Sequence, residues 1–333
     1  MKKVLKVLGI VLAVVVLAVA GLASYLKFAL PDVGPAPDLK VELTPERVKH
    51  GEYLTRHVLA CVHCHSKQDV NLFTAPIAPG HLGSGGEVFP REAGFPGTFI
   101  SANLTPVNLG EWTDGEIYRA ITTGVNRHGR TMFPMMPYAK YGQMDPEDVK
   151  SVVAYLRSLK PAGEKTAPSE PDFPFSLIMN TIPKKAEPMK RPDPSDTLAY
   201  GKYLVTIAAC YDCHTPVNER QENLPGQDYA GGRGFGLRTG GMVYSANISP
   251  DPETGIGKWS KAQFIARFKA YADSTAKPYA IKRNEFNTMM SWYEYAKMTE
   301  QDLGAIYTYL RTVKPQAHNV EKFKPGGEVV AAK

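Results

Sequence analysis

The sequence contains few cysteines, only four among its 333 residues. Two copies of one short motif use all four, so no thiol is left for a structural disulfide, a lipid anchor or a nucleophile. The 39 lysines and arginines are scattered, and the basic stripe of a nucleic-acid-binding surface is absent. Otherwise the composition, with 43% hydrophobic and 22% charged residues, is that of an ordinary globular protein.

The two cysteine motifs read Cys-Val-His-Cys-His at 61–65 and Cys-Tyr-Asp-Cys-His at 210–214. Cys-x-x-Cys-His is the attachment signature of a c-type haem. Its thiols share one helical face and add to the two vinyl groups, and the next residue gives the iron its proximal nitrogen. A redox dithiol, half a zinc site or a one-turn disulfide does not require that histidine. The motifs predict two covalently bound haem c groups, attached through Cys61, Cys64, Cys210 and Cys213, with His65 and His214 as iron ligands.

An uncharged run from Val7 to Leu26 follows three lysines and ends at Lys27. Its twenty residues are about the length that crosses a bilayer as a helix. A cleaved signal peptide is the alternative, with Ala-Val-Ala at 18–20 as its cleavage site. The run is longer than the apolar core of a signal peptide, which favours an uncleaved anchor. Residues 1–40 are thus predicted to form an anchor or signal peptide followed by a Pro/Gly-rich spacer.

The second half of the chain repeats the first. Gly-Glu-Tyr-Leu at 51–54 matches Gly-Lys-Tyr-Leu at 201–204, and Ser-Ala-Asn-Leu-Thr-Pro at 101–106 matches Ser-Ala-Asn-Ile-Ser-Pro at 245–250. Trp112 matches Trp259, and Tyr-Leu-Arg follows an aspartate-led helical pattern in both halves. The duplication predicts one domain at 41–160, a proline-rich linker at 161–196, a second domain at 197–316 and a tail at 317–333.

Helix signals recur within each unit. Thr44 before a proline, Thr113 three residues before a glutamate, and Asp145 before Pro146 each predict a helix start. The linker carries several apolar residues, which are expected to pack across both domains; an exposed patch that contacts a partner is the alternative.

The repeat also selects distal ligands for the iron, a role in which methionine is common. Met136 and Met290 align without gaps and precede the last helix of each unit, 71 and 76 residues after the proximal histidines. Met132, Met135 and Met144 compete in the first unit, and Met289 and Met298 in the second. A distal histidine is an alternative for the first haem, and Lys282 for the second. The duplicated register favours Met136 and Met290.

These motifs, together with Gly-Arg-Thr-Met-Phe-Pro-Met-Met-Pro-Tyr at 129–138, make the chain resemble the cytochrome c subunits of membrane-bound alcohol and sugar dehydrogenases. The resemblance covers roughly residues 45–315. It implies a mainly α fold of two tandem class I cytochrome c domains with long haem-wrapping loops. The N-terminal transmembrane helix that precedes them is predicted from the apolar run and differs from the anchoring of some of those subunits. The chain departs from those subunits in having two haem motifs rather than three, and Met-Ser-Trp rather than Met-Pro-Tyr at 290–292.

The resemblance and the ligand pattern imply a membrane-anchored electron carrier. It would link a dehydrogenase or quinol-oxidising complex to a soluble cytochrome or terminal oxidase, without catalytic residues and without nucleic acid. The lysines before the apolar run predict an inner-membrane protein with its haem domains on the periplasmic side. A di-haem peroxidase-like enzyme, which needs an open iron site, is the main alternative. A tethered redox sensor is less favoured, because no output domain follows residue 316.

Overall fold

The computed structural model describes residues 1–272 and 278–326, which are mainly helical. The first half contains helices α1 (Lys2–Phe28), α2 (Pro45–Tyr53), α3 (Cys61–Cys64), α4 (Pro106–Leu109), α5 (Asp114–Thr123), α6 (Tyr138–Tyr141) and α7 (Pro146–Ser158). The linker and second half contain α8 (Phe175–Ile178), α9 (Thr197–Ile207), α10 (Cys210–His214), α11 (Lys261–Lys269), α12 (Trp292–Tyr295) and α13 (Glu300–Leu310). The order α2, α3, α5, α6, α7 is repeated as α9, α10, α11, α12, α13, as the sequence duplication predicts.

The N-terminal helix α1 is long and apolar enough to cross a membrane. None of its residues is buried against the rest of the chain. Its length and composition are also those of a signal sequence, so both interpretations of this segment agree with the helix.

In each domain the first helix crosses the last one at a glycine. A Cβ on Gly51 of α2 would lie 1.7 Å from the carbonyl oxygen of Ser151 in α7. A Cβ on Gly201 of α9 would lie 2.0 Å from the carbonyl oxygen of Ala305 in α13. The two backbones therefore meet closely because these positions have no side chain.

The helix starts follow the capping residues in the sequence. Thr44 accepts a hydrogen bond from the Arg47 N–H (3.2 Å), and Thr113 forms a complete capping box with Glu116. Asp145 accepts from the Glu147 N–H (2.8 Å) at the start of α7. The side chains of Val149, Val152, Val153 and Leu156 are buried, so α7 presents one apolar face to the core, as their i, i+3, i+4, i+7 spacing predicts. Beyond Tyr53, helix α2 continues as a π-helical turn at Leu54–Val58, which the helix signals in the sequence do not indicate.

Each domain has a small antiparallel sheet that is completed from beyond its last helix. Strands β1 (Val88–Phe89), β2 (Gly97–Ile100) and β3 (Glu170–Pro171) form the first sheet. Strands β4 (Gly234–Gly236), β5 (Met242–Tyr244) and β6 (Phe323–Lys324) form the second. Because β3 lies in the linker and β6 in the tail, both segments fold back onto the domain that precedes them.

The two domains contact each other through reciprocal Tyr–Asp hydrogen bonds. Tyr53 of the first domain donates to Asp302 in α13, and Tyr203 of the second donates to Asp148 in α7 (2.6 Å). Each hydroxyl also accepts from the N–H of the residue capping that helix, at 3.0 and 3.1 Å. The tyrosine of each domain thus binds the equivalent aspartate of the other domain. Reciprocal contacts of this kind are characteristic of an approximate two-fold axis. The duplicated sequence therefore packs as a pseudo-symmetric pair around a shared core.

The linker and the spacer both lie against the first domain. Phe175 packs edge-on against Phe133 at 5.9 Å, and Met179 is buried. Two other linker residues, Phe173 and Ile178, have exposed side chains. The apolar residues are thus divided between packing on the first domain and facing solvent, whereas the sequence predicted packing across both domains. In the spacer, the Pro37 carbonyl lies where a Cβ on Gly115 would be, so the spacer is packed against α5.

Candidate functional site

Both cysteine motifs begin at an alanine with a left-handed backbone. Ala60 has φ 49° and Ala209 has φ 52°, and each is the N-cap of a short helix that starts at the first cysteine. Few non-glycine residues adopt this conformation, because the Cβ crowds the backbone. The same strained turn therefore sets the direction of the motif helix in both domains, α3 and α10.

Each motif histidine is oriented by one backbone carbonyl. His65 Nδ1 lies 2.8 Å from the Ala102 oxygen, and His214 Nδ1 lies 2.7 Å from the Ala246 oxygen. A carbonyl oxygen only accepts, so Nδ1 carries the proton and Nε2 keeps its lone pair. Burial lowers the pKa of both imidazoles, which favours this neutral form. A fixed tautomer with a free Nε2 is the state of a metal-ligating histidine.

In each domain a glycine next to the motif histidine allows the segment that contains Ala102 or Ala246 to approach that histidine. Gly85 and Gly231 donate their N–H groups to the carbonyl oxygens of His65 (2.9 Å) and His214 (2.7 Å). Both glycines have positive φ, and a Cβ would lie within 2.5 Å of the segment that carries the accepting Ala102 or Ala246 carbonyl. The segment is thus held directly against the histidine.

The repeated asparagines hold that same segment in place. The Asn103 amide donates to the Ala162 carbonyl (2.7 Å), and the Asn247 amide donates to the Gln316 carbonyl (2.7 Å). These carbonyls follow the last helix of each domain. Each asparagine therefore ties the segment beside the histidine to the chain that follows the last helix of its domain.

The cysteines in each motif are free and differ in burial. Burial raises the pKa of the Cys61 and Cys210 thiols to about 12. Desolvation by the surrounding atoms raises the pKa of Cys64 to about 11, although part of that side chain reaches solvent. A reactive dithiol needs a lowered pKa, so this environment does not fit a redox disulfide. Thiols one turn apart beside a neutral histidine do fit covalent haem attachment.

The two motifs lie close together across the domain interface. His63 of the first motif lies 3.7 Å from Glu294 of the second domain, and Asp212 of the second motif lies 3.8 Å from Lys140 of the first domain. Burial raises the pKa of Tyr141 and Tyr295, which follow the candidate methionines in the two halves. The described residues therefore bring both candidate haem sites to one side of each domain, where the domains meet.

The methionines separate by burial. Met144 and Met298, which align with each other, are each 1% exposed and belong to the core. Met135 and Met289 are exposed at 40% and 49%. The candidate ligands Met136 and Met290 are both half-buried, each immediately before the short helix α6 or α12. Burial in the core argues against Met144 and Met298 as ligands, whereas Met132 is half-buried like Met136. The register of the repeat is what favours Met136 and Met290 as predicted ligands.

Sequence reasoning missed two charge pairs that link each motif to the opposite domain. His63 Nδ1 lies 3.7 Å from the Glu294 carboxylate, and Lys140 Nζ lies 3.8 Å from the Asp212 carboxylate. His63 and Asp212 hold the same motif position, and Lys140 and Glu294 align four residues after the candidate methionines. The basic and acidic residues at these equivalent positions were visible in the repeat alignment, but which of them face each other is known only from the fold.

Each half of the chain matches a cytochrome family model. Residues 46–156 match the family described as cytochrome c oxidase, cbb3-type, subunit III. Residues 198–314 match the family described as cytochrome c.

Three relatives illustrate the similarity. The gluconate 2-dehydrogenase cytochrome c subunit of Pantoea cypripedii is 28% identical over 86% of this chain and 64% of its own length. The cytochrome c subunit of the quinone-dependent alcohol dehydrogenase of Gluconacetobacter polyoxogenes is 28% identical over 66% of this chain and 48% of its own length. A di-haem c-type cytochrome of Cereibacter sphaeroides is 28% identical over 47% of this chain and 54% of its own length. This chain thus spans about half to two thirds of the length of these relatives.

Proposed function

We propose that this chain, which consists of two tandem domains of the cytochrome c family and carries two covalently bound haem c groups, is a membrane-anchored electron carrier. It would transfer electrons between a dehydrogenase or quinol-oxidising complex and a downstream cytochrome or terminal oxidase. The observation that carries the proposal is the repetition of two thiols beside an oriented imidazole in two domains whose motifs face each other. A methionine at the same register of each repeat adds support.

The motif residues are proposed to hold the two groups. Cys61 and Cys64 would attach the first and Cys210 and Cys213 the second. His65 and His214 would supply the proximal nitrogen. The Nδ1 hydrogen bonds at 2.8 and 2.7 Å support this assignment, because they leave Nε2 free and fix the plane of each ring.

Met136 and Met290 are proposed as the distal ligands. Their support is the shared register of the repeat and the burial of their neighbours, because Met144 and Met298 are committed to the core. A bound haem supplies a reversible one-electron iron couple, whose potential a methionine ligand raises. The chain's own residues would keep the imidazoles neutral, limit solvent access and hold the two sites at a constant separation.

The carrier role does not require a set of catalytic residues. If His65 and Met136, and likewise His214 and Met290, both bind iron, no coordination position would remain for a substrate, and the protein would contribute ligation, burial and geometry. The relatives are named as cytochrome subunits of dehydrogenases, which supports a dehydrogenase as one partner. The di-haem peroxidase alternative needs one labile site, and the two equivalent methionines argue against it.

The chain is proposed to lie in the inner membrane with both domains on the periplasmic side. Helix α1 has the length and composition of a span, and Lys2, Lys3 and Lys6 precede it. Positive residues are retained on the cytoplasmic side of a span, so the domains that follow α1 would be exported.

Membrane vesicles that contain the full chain test the proposal. Gluconate, ethanol or fructose is added under nitrogen, and the absorbance band of reduced c-type haem is followed before and after oxygen is admitted. At least one substrate is expected to produce the band, and oxygen to remove it. The matched variant Cys210→Ala/Cys213→Ala keeps only the first motif. It is expected to interrupt this reduction by substrate and reoxidation by oxygen. If no substrate produces the band and peroxide rapidly oxidises the reduced protein, the peroxidase alternative would be favoured instead.

A further inference from the structure

The linker next to the end of α1 carries an apolar surface that the fold does not use. Phe173 is 80% exposed and Ile178 is 49% exposed, on either side of the inward-facing Phe175. Phe28, the last residue of α1, is 80% exposed. Large apolar side chains grouped at the surface mark a site of contact with a partner or a membrane. We refer to Phe28, Phe173 and Ile178 as the linker patch.

Helix α1 is attached directly to this part of the linker. The Asn180 amide nitrogen donates to the Leu26 carbonyl (3.0 Å), near the end of α1. The α8 helix and the 3-10 turn Met179–Thr181 both contact α1. The part of the linker that carries Ile178 therefore lies against α1, and the hydrogen bond from Asn180 holds it there.

The same asparagine joins α1 to the first domain. The side-chain amide oxygen of Asn180 accepts a hydrogen bond from the hydroxyl of Thr131 (2.9 Å). Thr131 lies five residues before Met136. The spacer is also tied to the domain, because the Val41 N–H donates to the Asp114 carboxylate (2.8 Å). Helix α1 thus does not end in a free tether but continues into a packed connection.

Exposed lysines lie beside the patch. Lys27 is the penultimate residue of α1 and its ammonium lies 5.3 Å from the centre of the Phe28 ring. The exposed Lys184 and Lys185 follow the 3-10 turn of the linker in sequence. Apolar side chains flanked by cations are the combination that binds the headgroup region of an anionic bilayer.

We propose that the linker patch is inserted into the headgroup region of the bilayer that α1 enters. We propose the bilayer rather than a partner protein because the linker next to the patch contacts α1 and because lysines flank the patch. The first domain would then lie on the membrane with the 131–136 loop towards it, and the second domain would lie further out. The inference rests on the membrane anchoring in the proposed function and adds a defined orientation to it.

Site-directed spin labelling of the full chain in nanodiscs of phosphatidylethanolamine and phosphatidylglycerol tests the proposal. Single variants Phe173→Cys and Ile178→Cys receive a nitroxide, since the native cysteines are assigned to thioether bonds. Leu198→Cys in α9, 46% exposed, is the matched water-facing control, and Leu12→Cys in α1 reports the span. The readout is the ratio of collisions with oxygen, which concentrates in lipid, to collisions with a water-soluble nickel chelate.

The ratio at 173 and 178 is expected to be several-fold higher than at 198 and to approach that at 12. A ratio at 173 and 178 equal to that at 198 would overturn the proposal. Low accessibility to both reagents would show a protein-covered surface and would also overturn it. A water-like ratio at 12 would reject the anchor itself, so a failure of the proposed anchoring is distinguishable from a failure of the patch alone.

Discussion

Each proximal imidazole is oriented by a single hydrogen bond to a backbone carbonyl, of Ala102 or Ala246. The motif alone led to the prediction that these two histidines are iron ligands. It contains no information on the acceptor, which lies 37 and 32 residues further along the chain. The repeated Ser-Ala-Asn segment was recognised in the sequence as a match between the halves, but its contact with the histidine requires the fold.

The methionine assignments lead to the first prediction. Met136→His is expected to lower the midpoint potential of one haem, and Met290→His that of the other, because imidazole does not stabilise the reduced iron as a thioether does. Spectropotentiometric titration measures both. The neighbouring exposed variants Met135→His and Met289→His serve as controls and should leave both potentials unchanged. If the controls shift a potential while the primary variants do not, the ligands have been assigned to the wrong methionines.

The charge pairs across the interface lead to the second prediction. Burial raises and the His63 ring lowers the pKa of Glu294, with a net lowering, so its carboxylate is ionised at neutral pH. Glu294→Gln removes a negative charge beside the first motif and is expected to raise the nearby midpoint potential. Lys140→Gln removes a positive charge beside the second motif and is expected to lower it. Shifts on the order of tens of millivolts follow from charges about 10 Å apart at an intermediate dielectric.

The sign of the two shifts separates this effect from a general disturbance of the interface. Both variants weaken a contact between the domains, so loss of packing would move both potentials in the same direction. Shifts of the same sign in a titration at constant pH would therefore contradict the electrostatic explanation.

Among the secondary-structure elements, the helix starts could be predicted because capping is local. Thr44, Thr113 and Asp145 bind N–H groups within three residues, so their role is readable from a few letters of sequence. The π-helical turn at Leu54–Val58 and the left-handed Ala60 were not predicted. Both depend on how the first helix must turn to present the cysteines, which is a tertiary constraint. Strand β3 was missed for a similar reason, because two residues have no detectable periodicity.

The helix crossing leads to the third prediction. Gly51→Ala and Gly201→Ala place a Cβ within 2.0 Å of a carbonyl oxygen of the facing helix. Each is expected to destabilise its domain by about 1–3 kcal/mol, the usual cost of forcing an extra carbon into a packed contact. Urea unfolding followed by far-ultraviolet circular dichroism measures the loss. Gly236→Ala is the control, since its Cβ would meet nothing within 4 Å. Equal stability of Gly51→Ala and Gly236→Ala would contradict the close crossing.

For the whole molecule, the sequence repeat predicted two equivalent domains but not how they meet. The Tyr–Asp contacts join residues 55 and 249 positions apart, and no local pattern marks them. Burial and the neighbouring aspartate raise the pKa of both Tyr53 and Tyr203, so each hydroxyl is a donor at neutral pH. The interface therefore has two equivalent hydrogen bonds that hold the motifs towards each other.

This interface leads to the fourth prediction. Tyr53→Phe and Tyr203→Phe each remove a donor to a buried carboxylate, and each is expected to cost about 1–3 kcal/mol in the free energy of unfolding. Tyr279→Phe, at an exposed position, is the control. The rate of electron equilibration between the two haems after a laser-induced half-reduction is expected to fall in the double variant. Unchanged stability and an unchanged rate in that variant would show that these contacts do not hold the domains together.

The claim that both sites are closed, six-coordinate electron-transfer centres is tested most directly by carbon monoxide. The reduced full chain is titrated with the gas while its absorption spectrum and spin state are recorded. Two low-spin centres that form no carbon monoxide complex at neutral pH are the predicted result. A high-spin centre that binds carbon monoxide readily would contradict the account and would assign that domain an open iron site.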